Sequence, residues 1–525
     1  MRSRRVSPLL AFALLPAFAS AGTATSAGAR ALTLDEAVDL ALEKNEGILI
    51  ERQSLAAADA GVMGAKGAYD PLFVIAGGWR RATEPVNSAF SGAPADALAP
   101  TIEVAEARAA FQQLLPTGGR ITLRASTSRG TSDGTFDLLS PAYGTQAGVE
   151  LRQPLLRGLR IDTARLTVRL AKADRRLSAA ALRHEITETV AAVEDAYWRL
   201  AAARRAVEVR AESVHLAEEQ LSETQIRISQ GASPDDEISQ PRAEVERRRG
   251  ELFDAQEAAS RAENALKLLI LADSDTDFWA EPFDPAEEAQ MEILPVDVAA
   301  SIARALASRP EIEAANATIE RRRAETAFAR NAVWPSLDVV ASYDRFGLAG
   351  TTNPAAVTPP GVPVVIAGGR EGTWGRAFSM LGEGHFDDAR VGLEFEIPLP
   401  NRTARAAATT ARNVEQQADA ELARARKRVR SEVLDAAAAL QSAGQRIEAA
   451  RAGREAAEVQ LSSERDRYGV GLSINFLVLT RQNDLSQAQL AEITAQTDYR
   501  TAHTEMARAT GSLLEQRGIE VDTTP

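Results

Sequence analysis

Apolar residues recur every seven positions along two long stretches of the chain. Val193, Leu200, Val207, Val214, Leu221 and Ile228 share one phase, with Ala196, Ala203 and Ala217 three residues on. Val433, Leu440, Ile447, Leu461 and Tyr468 repeat the pattern, broken at Arg454 and followed by Ala436, Ala443, Ala450 and Ala457. That period commits a helix to coiled-coil packing, and alanine at the partner position lets two backbones approach closely. Ile238, Val245, Leu252, Ala259 and Leu266 continue the spacing in what reads as a return helix. No strong breaker lies between Ile161 and Ser229, so that helix can run for about 100 Å at 1.5 Å per residue. Gly231 then supplies a turn, and Ser233 is placed to cap the return helix, with Pro234 at its first position. Gly471 and Ser473 repeat the arrangement, while Pro241 is expected two turns into its helix, bending it slightly.

Between the helical stretches the period changes to two. Ile121, Leu123 and Ala125 alternate with Thr122, Arg124 and Ser126, and Ala147, Val149 and Leu151 with Gly148, Glu150 and Arg152. Later, Leu337, Val339, Ala341 and Tyr343 alternate with polar residues, as do Val391, Leu393, Phe395, Ile397 and Leu399. One apolar and one charged face per strand suits a barrel with lipid outside and water inside, although any half-buried sheet shows the same alternation. Connections rich in Gly, Pro and Ala at Asn87–Thr101 and Gly347–Arg376 have the character of external loops. Each half must cross an even number of times. Two crossings per half is the simple reading, and Leu115–Gly119 allows four in the first half.

The two halves are one design in tandem. Val193-Glu194-Asp195-Ala196 matches Val433-Leu434-Asp435-Ala436, and Arg227–Gly231 matches Arg467–Gly471, both about 240 positions apart. The expected organisation is a signal peptide (1–21), a first helix (22–68), strands and loops (69–155) and a long helical hairpin (156–272). After a linker (273–295) come a second helix (296–333), strands with a loop (334–400), a second hairpin (401–515) and a tail (516–525). The fold expected is mainly α with a β-barrel portion, built from duplicated coiled-coil hairpins and two sets of strands.

Composition narrows the function. A basic start, an apolar run from Val6 to Ala19 and Ala19-Ser20-Ala21 read as a secretory signal. The 525 residues contain no cysteine, which excludes a disulfide scaffold, a thiolate metal site and a cysteine nucleophile. A net charge of −13 argues against nucleic acid as a partner. The four histidines, His184, His215, His385 and His503, lack metal-ligand spacing. No catalytic set, cofactor or metal is therefore expected. Arg247-Arg248-Arg249 and Arg321-Arg322-Arg323 read as solvated helix faces.

The chain resembles the TolC family of outer-membrane efflux and secretion channels. The resemblance is carried by Leu32-Thr33-Leu34-Asp35-Glu36-Ala37, Gln153-Pro154-Leu155-Leu156-Arg157-Gly158, the Arg467–Leu472 turn and the Gly511-Ser512-Leu513-Leu514 close. It implies an outer-membrane homotrimer in contact with lipid, the hairpins forming a periplasmic α-barrel and the outer-membrane strands completed by trimerisation. A periplasmic adaptor would contact the tip residues Gly231, Ser233, Gly471, Leu472 and Ser473, and an inner-membrane RND, ABC or MFS transporter would supply energy. Acidic residues lining the closed entrance of relatives correspond here to Glu237, within Asp235-Asp236-Glu237, and to Leu477 in the second repeat, beside Phe476. The entrance is thus expected to be acidic from one repeat and apolar from the other. An exported coiled-coil scaffold without a barrel is the competing reading; a high-salt wash would release it from the outer membrane.

Overall fold

The computed structural model describes residues 4–6, 30–87, 92–94, 97–231, 234–286, 296–357 and 369–523. The chain divides into two compact units, one of residues 1–59, 174–318 and 418–525, the other of residues 60–173 and 319–417. The proposed signal peptide lies largely outside the described residues. Only Arg4–Val6 of it is described, as a short strand parallel to Ile519–Val521.

The first unit is built on helices. The helices that enter it are α1 (Leu34–Lys44), α2 (Glu46–Lys66), α3 (Thr163–Ser229), α4 (Ser239–Ile270), α5 (Val298–Ser308), α6 (Pro310–Ala332), α8 (Arg402–Gly469) and α9 (Asn475–Thr510). α1 begins with a capping box in which Thr33 Oγ1 accepts from the Glu36 amide at 3.2 Å and Glu36 accepts from the Thr33 amide at 3.1 Å, satisfying two otherwise orphaned donors. The heptad residues Val193 and Leu200 are fully buried with Val38, Ile186 and Leu266 in one core. Val433, Leu440 and Ile447 form a second core with Ile312 and Tyr499. The repeat in sequence is thus a repeat in packing. Arg454 interrupts the second heptad because it faces a carboxylate: its guanidinium meets Glu492 of α9 at 2.5 Å and Glu458 at 2.6 Å.

Two expectations change here. Pro241 stands in the first turn of α4, not two turns in. Its missing N–H is one of the helix's orphan donors there and costs nothing. Arg248 is not solvated. It is 1 % exposed and spans three helices, donating to Ser213 O of α3 at 2.8 Å, to Gln482 Oε1 of α9 at 3.1 Å and to Glu244 of α4 at 2.8 Å.

The second unit holds one antiparallel sheet. Among the described residues its strands are β1 (Leu72–Thr83), β2 (Thr101–Leu114), β3 (Arg120–Ser132), β4 (Leu139–Pro154), β5 (Ser336–Thr352) and β6 (Asp387–Glu396), in spatial order β1-β2-β3-β4-β5-β6. The first half therefore contributes four strands and the second two, because Leu115–Gly119 does close a hairpin, with Leu115 N–H donating to Gly119 O at 2.7 Å. Where the glycine-flanked sequence suggests a loop, a helix, α7 (Trp374–Glu383), packs on β4 and β5. Thr145 Oγ1 donates to Ala377 O at 2.9 Å, and Gly347 leaves room there, since a Cβ would lie 2.0 Å from that same oxygen. Among the described residues no helix is long and apolar enough to cross a membrane.

Candidate functional site

Register gives the sheet one face rich in large apolar side chains and, from β3 to β6, an opposite face rich in charge. Phe73, Phe111, Leu123, Val149, Tyr343 and Ala389 lie on one face through successive strand pairs. Ile75, Trp79, Val391, Leu393 and Phe395 share that face and are all more than half exposed. A patch of this extent is costly in water and ordinary against lipid.

The opposite face carries a charge ladder. Arg124 donates from Nε to Asp344 at 2.9 Å and from Nη1 to Glu150 at 2.9 Å, and Gln146 adds a third bond to Asp344 at 3.1 Å. Farther along, Arg152 meets Asp338 at 2.9 Å and Glu394 at 2.7 Å. Gly148 makes room for the first cluster: a Cβ there would meet Asp344 Oδ1 at 2.0 Å. These arginines bind strands from both halves into one polar wall.

In the helical unit, the ends of the two hairpins meet. Gly231 (φ 72°) and Gly471 (φ 75°) both adopt the left-handed conformation, with nothing within 4 Å of an added Cβ. Leu472 N–H returns to Arg467 O at 2.8 Å and Gly471 N–H to Tyr468 O at 3.1 Å, the paired bonds that close a helix through a left-handed glycine. At the first turn Gly231 N–H reaches Ile228 O at 2.9 Å. The chain then enters a single 3-10 turn, Asp235–Ile238, whose N-cap is Pro234, so α4 starts later than expected. Asp235, Asp236 and Glu237 are all exposed in that turn, where carboxylates favour the amide ends of the following helix. Ser233 lies outside the described residues. Ser473 does not cap α9, whose N-cap is Ile474; its hydroxyl donates instead to the buried Glu464 carboxylate and ties the turn back to α8. Phe476 and Leu477 are exposed on the first turn of α9, beside exposed Leu472 and Ile474.

Contacts with no heptad or turn signature hold these ends together. The Arg227 guanidinium lies 4.3 Å from the centre of the buried Tyr468 ring, and Asn475 Nδ2 reaches Thr224 Oγ1 at 3.4 Å. Burial raises the Tyr468 hydroxyl above its ordinary range against the opposing pull of Arg227, and the charges of Glu223 and Glu237 push the same way as burial. Arg248 fixes the next level. Burial lowers its guanidinium and Glu244 partly compensates. The only trace of these contacts in the sequence was Tyr468 at a heptad position.

Comparison with known proteins agrees with this arrangement. The CmeC outer-membrane channel of Campylobacter jejuni superposes with a TM-score of 0.62 at 15 % identity, covering 93 % of this chain and 90 % of that one. VceC of Vibrio cholerae gives 0.60 at 16 %, with coverage of 91 % and 96 %. The open-state MtrE channel of Neisseria gonorrhoeae gives 0.58 at 16 %, with coverage of 91 % and 89 %. No match was found among curated protein sequences. Residues 102–270 and 301–512 match the outer membrane efflux protein family. That is well over half of the sequence, so the chain belongs to this family and is an outer-membrane efflux channel.

Proposed function

We propose that the chain works as a homotrimer, the passive exit duct of a tripartite efflux pump or type I secretion system. An inner-membrane RND, ABC or MFS transporter would supply the energy, and a periplasmic adaptor would join the two. The observation that carries the trimer is the open sheet. β1 and β6 are edge strands of 12 and 10 residues with lipid-type side chains, and among the described residues no strand pairs with the outer edge of either. An open edge at membrane depth leaves backbone groups unsatisfied, so closure must come from other copies. Folding and assembly are then coupled. The family is one of channels, and we assign no catalytic step to this chain.

The adaptor is assigned to the hairpin ends at Gly231, Gly471, Leu472 and Ser473, with Ser233 included from the sequence. Leu472, Ile474 and Phe476 support this, since apolar side chains clustered at an exposed tip call for a partner. Asp235, Asp236, Glu237, Phe476 and Leu477 are assigned to the entrance. Native mass measurement in detergent tests the oligomer: a species of three chains is expected, and a stable folded monomer would overturn the reading.

A further inference from the structure

The two sheet edges carry enough information to say how one copy meets the next. β1 runs away from α2 and β6 runs toward α8, so β1 of one chain can pair antiparallel with β6 of another. Continuity of the two sheet faces around a closed barrel leaves registers that differ by steps of two residues, the inner face of β1 being mixed, with Leu72 and Val74 as well as Arg80. At one of them Phe73 faces Phe395 and Ile75 faces Leu393 on the lipid side. The same register sets Arg81 against Asp387 and, on the polar side, Arg80 against Asp388. Sliding two residues one way puts Arg80 opposite Arg390. Sliding the other way sets Trp79 opposite Asp387. Opposite charges directly across a strand pair stabilise and like charges destabilise.

Barrel geometry tolerates the Arg80–Arg390 register, an advance of eight residues at a tilt of about 42°, so like charge alone disfavours it, but geometry separates the other two. Stepping across the ladders from Leu72 leads through Gln112, Thr122, Glu150 and Ser342 to Arg390. With Arg80 on Asp388, Arg390 faces Gly78 of the next copy, six residues beyond the start for six strands crossed. A barrel whose shear equals its strand number tilts its strands by about 36°, within the usual range of about 35–45°. Sliding toward Trp79–Asp387 cuts the advance to four and drops the tilt below that range.

On the trimer reading above, we propose that three copies close an eighteen-stranded barrel, β1 on β6 of the neighbour, in the register that pairs Arg80 with Asp388 and Arg81 with Asp387. Within the chain Arg80 also reaches Glu84, and Asp388 meets Arg390 at 2.7 Å, so each inter-copy pair extends a small network of charges. Eighteen strands about 4.8 Å apart at this tilt set opposite backbones about 35 Å apart. Closed barrels of that strand number hold an aqueous channel, so the membrane section is not where cargo size is filtered.

The absence of native cysteine makes the register directly testable. Val74→Cys with Glu394→Cys places two thiols face to face on the polar side. Gly392→Cys or Glu396→Cys with the same Val74→Cys is one step out of register and beyond disulfide reach. Oxidation of native protein in the outer membrane is expected to link each chain to both neighbours through the Glu394 pair alone, giving a covalent trimer on a denaturing gel. A trimer of correct native mass that links through a shifted pair overturns the register. One that links Leu123→Cys of β3 to Leu393→Cys overturns the strand count, because β1 and β2 would then lie outside the barrel. A monomeric native mass removes the oligomer reading and this closure with it. Should the thiol variants not assemble, charge exchange decides. Arg80→Asp or Asp388→Arg alone is expected to lower the heat-resistant trimer fraction roughly threefold to tenfold, one pair being lost at each of three interfaces. The double exchange restores it, and failure of restoration overturns the proposal.

Discussion

Three consecutive arginines in α4 look interchangeable and are not. Arg247 and Arg249 lie 45 % exposed beside Glu244 and Glu218, where ion pairs contribute little. Arg248 between them is buried and carries bonds to three helices. Removing one partner of a buried charge pair typically costs about 3–5 kcal/mol, because the other charge is left unsolvated. Arg248→Ala is therefore expected to lower the thermal unfolding midpoint by several degrees, and Arg249→Ala to leave it nearly unchanged, as read by circular dichroism. The pair also responds to pH. Burial pushes the Glu244 carboxyl up, but its bonds to Arg247 and Arg248 win and hold it below the ordinary range. A depressed carboxyl contributes stability above its unfolded value and loses it as pH falls through the folded one. The stability difference between parent and Glu244→Gln should accordingly be full at neutral pH and shrink below about pH 4.

At the scale of elements, the hairpin turns make the sharpest prediction. Gly231 and Gly471 need a positive φ yet have open space around them, so a β-branched residue there strains the backbone without a clash. Gly471→Val should cost about 1 kcal/mol locally and weaken adaptor binding in a pull-down, while trimer mass and membrane insertion stay unchanged. Normal binding with valine at both turns would remove the adaptor from this end. These turns were legible in the sequence because glycine at the end of a heptad run has one physical meaning. The long helices were legible for the same reason: Val193, Leu200, Val433 and Leu440 each report burial through their period. Strand number was not, because Ile102–Leu114 has alanines and charges on both faces and a weak alternation. Helix α7 hid in a glycine-flanked stretch, its buried side limited to Ala377 and Met380. Arg248 was unreadable in principle: its partners Ser213, Leu479 and Gln482 come from α3 and α9, and only the folded chain brings them together.

For the whole molecule, the decisive quantity is where unpaired charge faces the transported solute. Along the sheet wall the charges are engaged with one another, Arg124 with Glu150 and Asp344 and Arg152 with Asp338 and Glu394. At the hairpin ends the neighbouring cations are engaged elsewhere, Arg227 with Glu223 at 3.6 Å and Arg467 with Glu464 at 3.9 Å. Asp235, Asp236 and Glu237 stand exposed in one short turn. Threefold symmetry about a narrow entrance would gather nine such carboxylates, and a ring of that kind attracts cations and is blocked by multivalent ones. Phe476 and Leu477 would form the dry part of the same constriction. Single-channel recording in planar bilayers should therefore show cation selectivity and block by divalent or trivalent ions in the parent protein. The triple variant Asp235→Asn, Asp236→Asn, Glu237→Gln should lose most of the selectivity and relieve the block by roughly tenfold, equivalent to about 1.4 kcal/mol in ion binding. The charge-paired wall makes the control: Glu150→Gln should alter selectivity far less. If the triple variant conducts and blocks like its parent, the three carboxylates serve only the start of α4, and the entrance filter must be built from other residues.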